Sequence, residues 1–249
     1  MDKRWLGPTR AFSSLAVALL RVPLWLSCAT EKLRHHEQAF FATIVRGFGI
    51  SISQHGRPSI EAPTLFIMNH ISWADIPVML AILDADFVAK AEMLDWPVIG
   101  RLARRFNPVF VAREKRHGSA TQVETIRARL LSGRSVILCP EGTTSDGTTI
   151  QPFRTSLFAA VDAAQVIQPL VLNYLAPDGT TLSAKRQREV AWIDDDDLVT
   201  GAARLASASI LARVEFLPAV EALGDRKKLA KDLRQVMLAA YAAAPKRPE

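Results

Sequence analysis

The chain has 249 residues, of which 49% are hydrophobic and 22% are charged, and its mean hydropathy is slightly positive at +0.11. This is enough for one domain with a sizeable core. The net charge of +6 favours polyanionic partners such as anionic lipid headgroups, phosphate-bearing substrates or nucleic acid. Cys28 and Cys139 have no CxxC spacing and no paired histidines, which argues against a disulfide framework and a zinc site.

Two helical patterns open the chain. The first covers residues 11–30 and is mostly apolar, but Arg21 and Pro23 interrupt it, so it falls short of about 20 clean apolar residues for a spanning helix. The second covers residues 31–46 and mixes apolar with basic residues. We expect residues 1–48 to form a membrane-associating helical pair at an anionic membrane surface. The alternative is that these helices only cover the core of the following domain.

From Gly49 onward, short apolar strands alternate with helical patterns. Strands are predicted near residues 50–52, 64–68, 86–89, 109–112, 135–139, 166–172 and 213–217. Helices are predicted over residues 119–131, with Gly133 as the stop, and over 153–164 and 225–244. This alternation is typical of the α/β class. We predict a single layered domain over residues 49–249, with a largely parallel sheet flanked by helices.

The first candidate catalytic cluster, NHISWAD at residues 69–75, directly follows the strand 64–68. Loops at strand ends are where α/β proteins place their sites. Pro77 predicts that a helix begins near Asp75. Asp75 can then fold back to the imidazole of His70 and hold one ring nitrogen, which leaves the other free to take a proton. We therefore predict a general-base pair. The alternative is a helix cap at Asp75 or Ser72 beside a packed His70.

Three further clusters follow in chain order. PEGTTSDG at residues 140–147 offers glycines and hydroxyls to a polar headgroup, and it is not a P-loop because no lysine follows the glycine. NPVFVAR at residues 107–113 ends in Arg113, which suits bidentate contact with a phosphate or carboxylate. VIQPL at residues 166–170 is apolar and predicts a structural role. A solvent loop and a solvated basic turn are the alternatives for the first two.

In this order and spacing, the four clusters resemble the motifs of the glycerolipid (1-acyl-glycerol-3-phosphate type) acyltransferase family. Residues 69–75 match the family's NHxSxxD motif, a His-x4-Asp pattern. Residues 140–143 match its Pro-Glu-Gly-Thr turn, and Phe110 with Arg113 matches its Phe-x-x-Arg. Residues 166–170 match its hydrophobic-proline element. The resemblance covers residues 49–217.

Two positions depart from the family pattern. Asn107 stands where the family usually has glycine, and Thr144 stands where it commonly has an arginine implicated in holding the acceptor phosphate. The stretch 141–147, together with Arg154, is more similar to the bacterial branch that includes lyso-ornithine lipid acyltransferases. In that interpretation, Arg154 supplies the missing positive charge.

The resemblance implies an O-acyltransferase that moves a fatty acyl group from acyl-CoA or acyl carrier protein to the hydroxyl of a lysolipid, without cofactor or metal. The expected acceptor is 1-acyl-sn-glycerol-3-phosphate, with lyso-ornithine lipid as the alternative. The expected location is the inner (cytoplasmic) membrane, with the catalytic domain facing the cytoplasm. The implied site residues are His70 and Asp75 as catalytic groups and Arg113, Glu141, Gly142, Thr143 and Arg154 as substrate-binding groups.

Two other classes of protein make different predictions. A non-catalytic lipid-binding membrane protein needs no base, so replacing His70 would leave its function intact. Nucleic acid is not an expected partner, because the basic stretch at residues 101–116 lacks interleaved exposed aromatic residues and any recognisable nucleic-acid-binding motif. Cys139 ends a buried-type strand without a basic neighbour in sequence, so we predict a packing role rather than a nucleophile.

Overall fold

A computed structural model describes residues 30–90, 109–111, 118–193, 196–206, 209–222 and 224–243, with a few residues between 9 and 17. Most of the first N-terminal pattern, residues 11–30, lies outside the described residues, and so does Arg113. The second N-terminal pattern is confirmed as helix α1 (Thr30–Gly47), which extends one residue further at each end than the sequence predicted.

The described strands form one sheet. They are β1 (Ile50–His55), β2 (Thr64–Met68), β3 (Asp86–Lys90), β4 (Val109–Val111), β5 (Val136–Leu138), β6 (Val166–Leu175), β7 (Ile210–Phe216) and β8 (Val220–Glu221). The order is β1-β7-β6-β2-β5-β3-β4, and β8 pairs with β6. Every pairing is parallel except β6 with β7 and β6 with β8, which are antiparallel. The predicted largely parallel sheet is confirmed, with one reversal of direction between β6 and β7.

Helices flank this sheet. They are α2 (Asp75–Leu80), α3 (Gly118–Leu131), α4 (Ala184–Val190), α5 (Leu198–Ala206) and α6 (Arg226–Ala242), with a 3₁₀ helix at Thr155–Ala163. The helix predicted over residues 153–164 is confirmed, and it is a 3₁₀ helix. Its buried residues recur every third position in two rows, Leu157, Ala160 and Ala163 in one and Phe158 and Val161 in the other, which matches the three-residue turn of a 3₁₀ helix.

Strand β2 lies at the centre of the fold and is buried along its whole length. Leu65 and Ile67 point into one apolar cluster, which includes Ile126 of α3, whereas Phe66 and Met68 point into a second cluster, with α2. This alternation is the two-residue period of a strand covered on both faces. The loop that leaves β2 therefore starts from a rigid support.

Helix α1 packs on the same domain. Phe40 and Phe41 lie against Leu80 and Ala81 at the end of α2. Burying such aromatic side chains is among the largest apolar contributions that a short helix can make. Helix α1 therefore contacts the core of the domain. Among the described helices, none has both the length and the apolar character needed to cross a membrane.

A buried carboxylate ties α1 to the sheet. The side chain of Asp86, at the start of β3, is 1% exposed and forms salt bridges with Arg34 of α1 at 3.0 Å, Arg129 at 2.9 Å and Arg134 at 3.0 Å. A buried charge is tolerated only when it is paired in this way.

Candidate active site

The sheet topology brings two of the sequence clusters to one edge. Strand β2 is parallel to its neighbour β5, with Leu65 opposite Val136 and Ile67 opposite Leu138. The loops that follow both strands, starting at residues 69 and 139, therefore leave the sheet at the same carboxyl edge. Sites of open α/β sheets lie outside this edge.

His70 and Asp75 form the predicted pair. Nδ1 of His70 lies 2.7 Å from Oδ2 of Asp75, and α2 begins at Asp75 as predicted. The same oxygen accepts the backbone N–H groups of Ile71 at 2.8 Å and Ser72 at 3.0 Å. The Asp75 side chain is fully buried, whereas that of His70 is 19% exposed.

The hydrogen bonds of Asp75 assign the tautomer of His70. A carboxylate that already accepts two backbone N–H groups acts as an acceptor, so Nδ1 of His70 carries the hydrogen and donates it. The lone pair of Nε2 is then available to take a proton, as in a general base. The alternative of a simple helix cap is not what the structure shows, because the N-cap residue of α2 is Ala74.

Tyr174 completes the shell around Asp75. Its buried hydroxyl donates to Oδ1 of Asp75 at 2.8 Å. Burial raises the pKa of Tyr174 well above its usual value, and the neighbouring Asp75 charge adds to this. The phenol is therefore neutral and donates. Both oxygens of the Asp75 carboxylate are thus hydrogen-bonded.

Asn69 joins the start of this loop to the neighbouring strand β6. Its side-chain amide donates to the Leu172 carbonyl at 2.9 Å and accepts the Leu172 N–H at 2.8 Å. This pair of bonds continues the ladder between β2 and β6 beyond the last β2 residue. These two bonds therefore fix the start of the loop and, with it, the place of the His70 backbone.

Glu141 links two loops behind the imidazole. Its Oε1 accepts the backbone N–H of His70 and its Oε2 accepts that of Gln151, each at 2.7 Å. Burial raises the pKa of Glu141 to about 7, although the two backbone N–H groups act in the opposite direction. Since both oxygens are engaged within the protein, this carboxyl group holds the turn at residues 140–143 against the loop at His70.

Ser145 holds the other backbone group of His70. Its N–H donates to the His70 carbonyl at 2.9 Å, and its hydroxyl lies 3.2 Å from the same oxygen. The backbone N–H and C=O of His70 are therefore both held by the loop after β5. The direction of its imidazole does not depend on Asp75 alone.

Gly142 and Arg154 lie in contact at the mouth of this loop. Gly142 has φ +70°, and a Cβ placed there would lie 2.5 Å from Nε of Arg154. Only glycine adopts this backbone readily and leaves room for the arginine. Arg154 is exposed. The Arg154 guanidinium therefore lies exposed beside the Pro-Glu-Gly-Thr turn.

The carboxyl groups make this part of the protein electronegative. The charges of Asp75 and Glu141 add to burial in raising the pKa of the Cys139 thiol. Cys139 is buried and its thiol is protonated, so the predicted packing role is confirmed.

Comparison with known proteins assigns the chain to a family. A model of the acyltransferase family matches residues 50–173. The lyso-ornithine lipid O-acyltransferase of Brucella abortus is 32% identical over 246 residues, which cover 92% of both chains. The chain belongs to the acyltransferase family. It is therefore an enzyme of acyl transfer, as the four motifs predicted.

Other acyltransferases are also similar. The 1-acyl-sn-glycerol-3-phosphate acyltransferase of Neisseria meningitidis is 30% identical, covering 85% of this chain and 86% of that protein. The crystal structure of the 1-acyl-sn-glycerophosphate acyltransferase of Thermotoga maritima superposes with a TM-score of 0.68 at 18% identity, covering 100% of each chain. This last similarity concerns the fold.

The structure brings most of the predicted site residues of this acyltransferase together. His70, Asp75, Glu141 and Gly142 lie at one edge of the sheet, and Thr143 is exposed beside them. Arg154 lies against Gly142. The prediction for Arg113 falls outside the described residues. Within the described part of the chain, no group of three or more His, Cys, Asp or Glu side chains is arranged to hold a metal ion.

Tyr174 and Ser145 were not predicted as site residues. Ser145 lies within the predicted loop, but its bonds to His70 join residues 75 positions apart. Tyr174 gave the stronger signal, because a tyrosine close to a buried strand needs a hydrogen-bond partner for its hydroxyl. The sequence does not say that this partner is Asp75, 99 positions away.

Proposed function

We propose that this acyltransferase transfers a fatty acyl group from a thioester carrier to the hydroxyl of lyso-ornithine lipid. The observation that carries the proposal is the His70–Asp75 pair, with Nδ1 held at 2.7 Å and Nε2 left to face a substrate. A non-catalytic lipid-binding protein has no need for a fully bonded carboxylate behind a half-buried histidine.

In the proposed reaction, Nε2 of His70 takes the proton of the acceptor hydroxyl as its oxygen attacks the thioester carbonyl carbon. The carbon–sulfur bond then breaks, and the imidazolium returns the proton to the leaving thiolate. The products are the ester and the free thiol carrier, either CoA or acyl carrier protein. General-base catalysis of this kind contributes about 10²–10⁴-fold in rate.

The electrostatics of the site support this role for His70. The imidazole becomes positively charged during the transfer, and the buried Asp75 carboxylate lies 2.7 Å from its other nitrogen. Stabilisation of the charge that develops in the transition state is usually the largest catalytic contribution. Tyr174 and the backbone N–H groups of Ile71 and Ser72 hold that carboxylate in place before the reaction begins.

The acceptor assignment rests on the charge at the mouth of the site. Ornithine carries a carboxylate and an ammonium group, so its headgroup needs one cationic partner rather than a full phosphate clamp. Arg154, lying across Gly142, supplies one guanidinium, while Thr144 replaces the arginine expected of a phosphate site. The full-length similarity to a lyso-ornithine lipid O-acyltransferase points the same way.

A second candidate acceptor is 1-acyl-sn-glycerol-3-phosphate. It is favoured by the similarity to the Neisseria meningitidis enzyme over 85% of this chain. Arg154 would then contact the phosphate.

The test is acyl transfer to the two lysolipids side by side, with acyl-CoA and acyl carrier protein as donors, for the wild type and His70→Ala. Arg154→Met serves as a third arm. We expect product from lyso-ornithine lipid that is lost in His70→Ala, and a raised KM for the acceptor in Arg154→Met. Product only from 1-acyl-sn-glycerol-3-phosphate would overturn the acceptor assignment. Equal lysolipid binding by both forms, without His70-dependent product, would support the lipid-binding alternative.

We also propose that the enzyme works at the cytoplasmic face of the inner membrane, with residues 1–48 contributing to attachment. The acceptor is a membrane lipid, and the net charge of +6 favours an anionic surface. Sedimentation with vesicles should show binding that increases with the anionic lipid fraction and weakens with salt. Equal binding to neutral vesicles would contradict the electrostatic part of this proposal.

A further inference from the structure

Helix α6, near the C-terminus, contacts the loop that carries the Pro-Glu-Gly-Thr turn. Nε of Arg234 donates to the Gln151 carbonyl at 2.9 Å, and Nη2 donates to the Ile150 carbonyl at 2.6 Å. A guanidinium is planar and its N–H groups have fixed directions. Two bonds to successive carbonyls therefore hold this end of the loop in one orientation.

Tyr241, two helical turns further along α6, holds the middle of the same loop. Its hydroxyl donates to the Gly147 carbonyl at 2.5 Å. Residues seven apart lie on one face of a helix. Leu233 and Met237, which are buried in the core, anchor that face to the domain. Helix α6 thus contacts the loop at two points from a rigid base.

The loop, in turn, holds His70 at both of its backbone groups. Gln151 N–H and His70 N–H donate to the two oxygens of Glu141, and Ser145 donates to the His70 carbonyl. A continuous path of hydrogen bonds therefore runs from Arg234 through residue 151 and Glu141 to the backbone of His70. Every bond in it is between 2.7 and 2.9 Å.

We infer that α6 is a positioning element of the active site, in which Arg234 and Tyr241 fix the loop 141–151 and thereby aim the imidazole of His70. This rests on the proposed function, in which His70 is the base. The match to the acyltransferase family model ends at residue 173, so α6 lies outside the matched region. Arg234 is a positioning residue, since it acts through the loop.

Arg234→Met tests this inference, because it removes both hydrogen bonds and keeps an apolar side chain over the loop. We expect kcat to fall about 10- to 100-fold, since a misplacement of about 1 Å at a reacting group has effects of this size. The fall in kcat should exceed any rise in KM, because Arg234 bonds to Ile150 and Gln151 rather than to the predicted substrate-binding residues. Arg234→Lys should recover part of the rate, since an ammonium keeps the charge without the planar fork.

Amide hydrogen exchange separates positioning from general stability. In Arg234→Met, the backbone N–H groups of His70 and Gln151 should exchange faster, because their shared acceptor Glu141 becomes mobile. The amides of the buried strand β2 should keep their protection. A variant that only destabilises the whole fold would accelerate all of these amides together.

Arg226→Met is the matched control, because it removes the same charge from an exposed position in the first turn of α6. It should keep wild-type kcat and exchange. Wild-type kcat together with wild-type exchange at His70 in Arg234→Met would overturn the inference. If the wild type acylates no lysolipid, the proposed function fails, and the exchange of His70 and Gln151 decides the role of α6 by itself.

Discussion

Replacing Tyr174 with phenylalanine removes one oxygen from an enclosed hydrogen-bond network. The Tyr174 hydroxyl donates to Oδ1 of Asp75 at 2.8 Å, while His70 and two backbone N–H groups all reach Oδ2. In the variant, Oδ1 of a fully buried carboxylate loses its donor among the described residues. A hydrogen bond to a charged group contributes about 1.5–3 kcal/mol, and we expect the free energy of unfolding to fall by this amount.

Part of the same loss should appear in catalysis. If about 1.4 kcal/mol of the lost hydrogen-bond energy raises the activation barrier, because Asp75 orients the His70 imidazole less firmly, kcat/KM falls about tenfold. A residue that only fills space in β6 would leave kcat/KM unchanged.

The assay is steady-state acyl transfer over a pH series, with urea unfolding of the same samples. Thr43→Val is the control, since Thr43 is buried in α1 and, among the described residues, its hydroxyl donates locally to the Ala39 carbonyl at 2.8 Å. It should leave kcat/KM unchanged. If Tyr174→Phe also keeps wild-type kcat/KM, while His70→Ala is inactive, the reasoning about Asp75 is refuted.

Three further predictions concern the loop after β5 and the buried cluster at β3. Glu141→Gln places an amide NH₂ against a backbone N–H, which should lower the free energy of unfolding by about 1–3 kcal/mol in urea. In the wild type, the pKa of Glu141 is raised from 4.5 to about 7, so this carboxyl group stabilises the fold fully below pH 4.5 and loses that contribution as the pH rises through 7. The contribution to the free energy of unfolding is about 3 kcal/mol, at about 1.4 kcal/mol per pKa unit. The urea unfolding of Glu141→Gln should lack this part of the pH dependence. Gly142→Ala should lower acyl transfer about tenfold or more, because its Cβ meets Arg154 at 2.5 Å in a backbone of φ +70°; unchanged rates would show that the loop relaxes freely. Asp86→Asn leaves three arginines without their shared charge and should destabilise the protein by about 3–5 kcal/mol in urea, with kcat per folded molecule unchanged.

Much of the sheet could be predicted because its strands are short apolar runs between turn residues. The bounds of β2 were predicted correctly, and β6 was only three residues longer than predicted. The two-residue strand β8 and the short helices α4 and α5 carry too little periodicity to be recognised. The helix over residues 153–164 could be predicted, but its 3₁₀ type could not, because periods of 3.0 and 3.6 residues hardly differ over nine residues.

The contact between His70 and Asp75 could be predicted because it is local. His70 and Asp75 are five positions apart, and a single strand-to-helix turn brings them together. The partners that fix this pair are distant in sequence, namely Glu141 at 71 positions and Tyr174 at 99. Only the strand order β6-β2-β5 places them beside His70, and hydrophobic patterns do not contain that order.

The same strand order links the apolar Val-Ile-Gln-Pro-Leu element to the placement of Tyr174 beside Asp75. Val166 lies opposite Thr64, and Gln168 fixes this register, because its buried amide bonds to the backbone of Arg57, Ser59 and Leu217. A slip of one residue along β2 would turn every β6 side chain to the other face of the sheet. Tyr174 would then point away from Asp75. The motif that we predicted to be structural therefore helps to place the Tyr174 hydroxyl beside the Asp75 carboxylate.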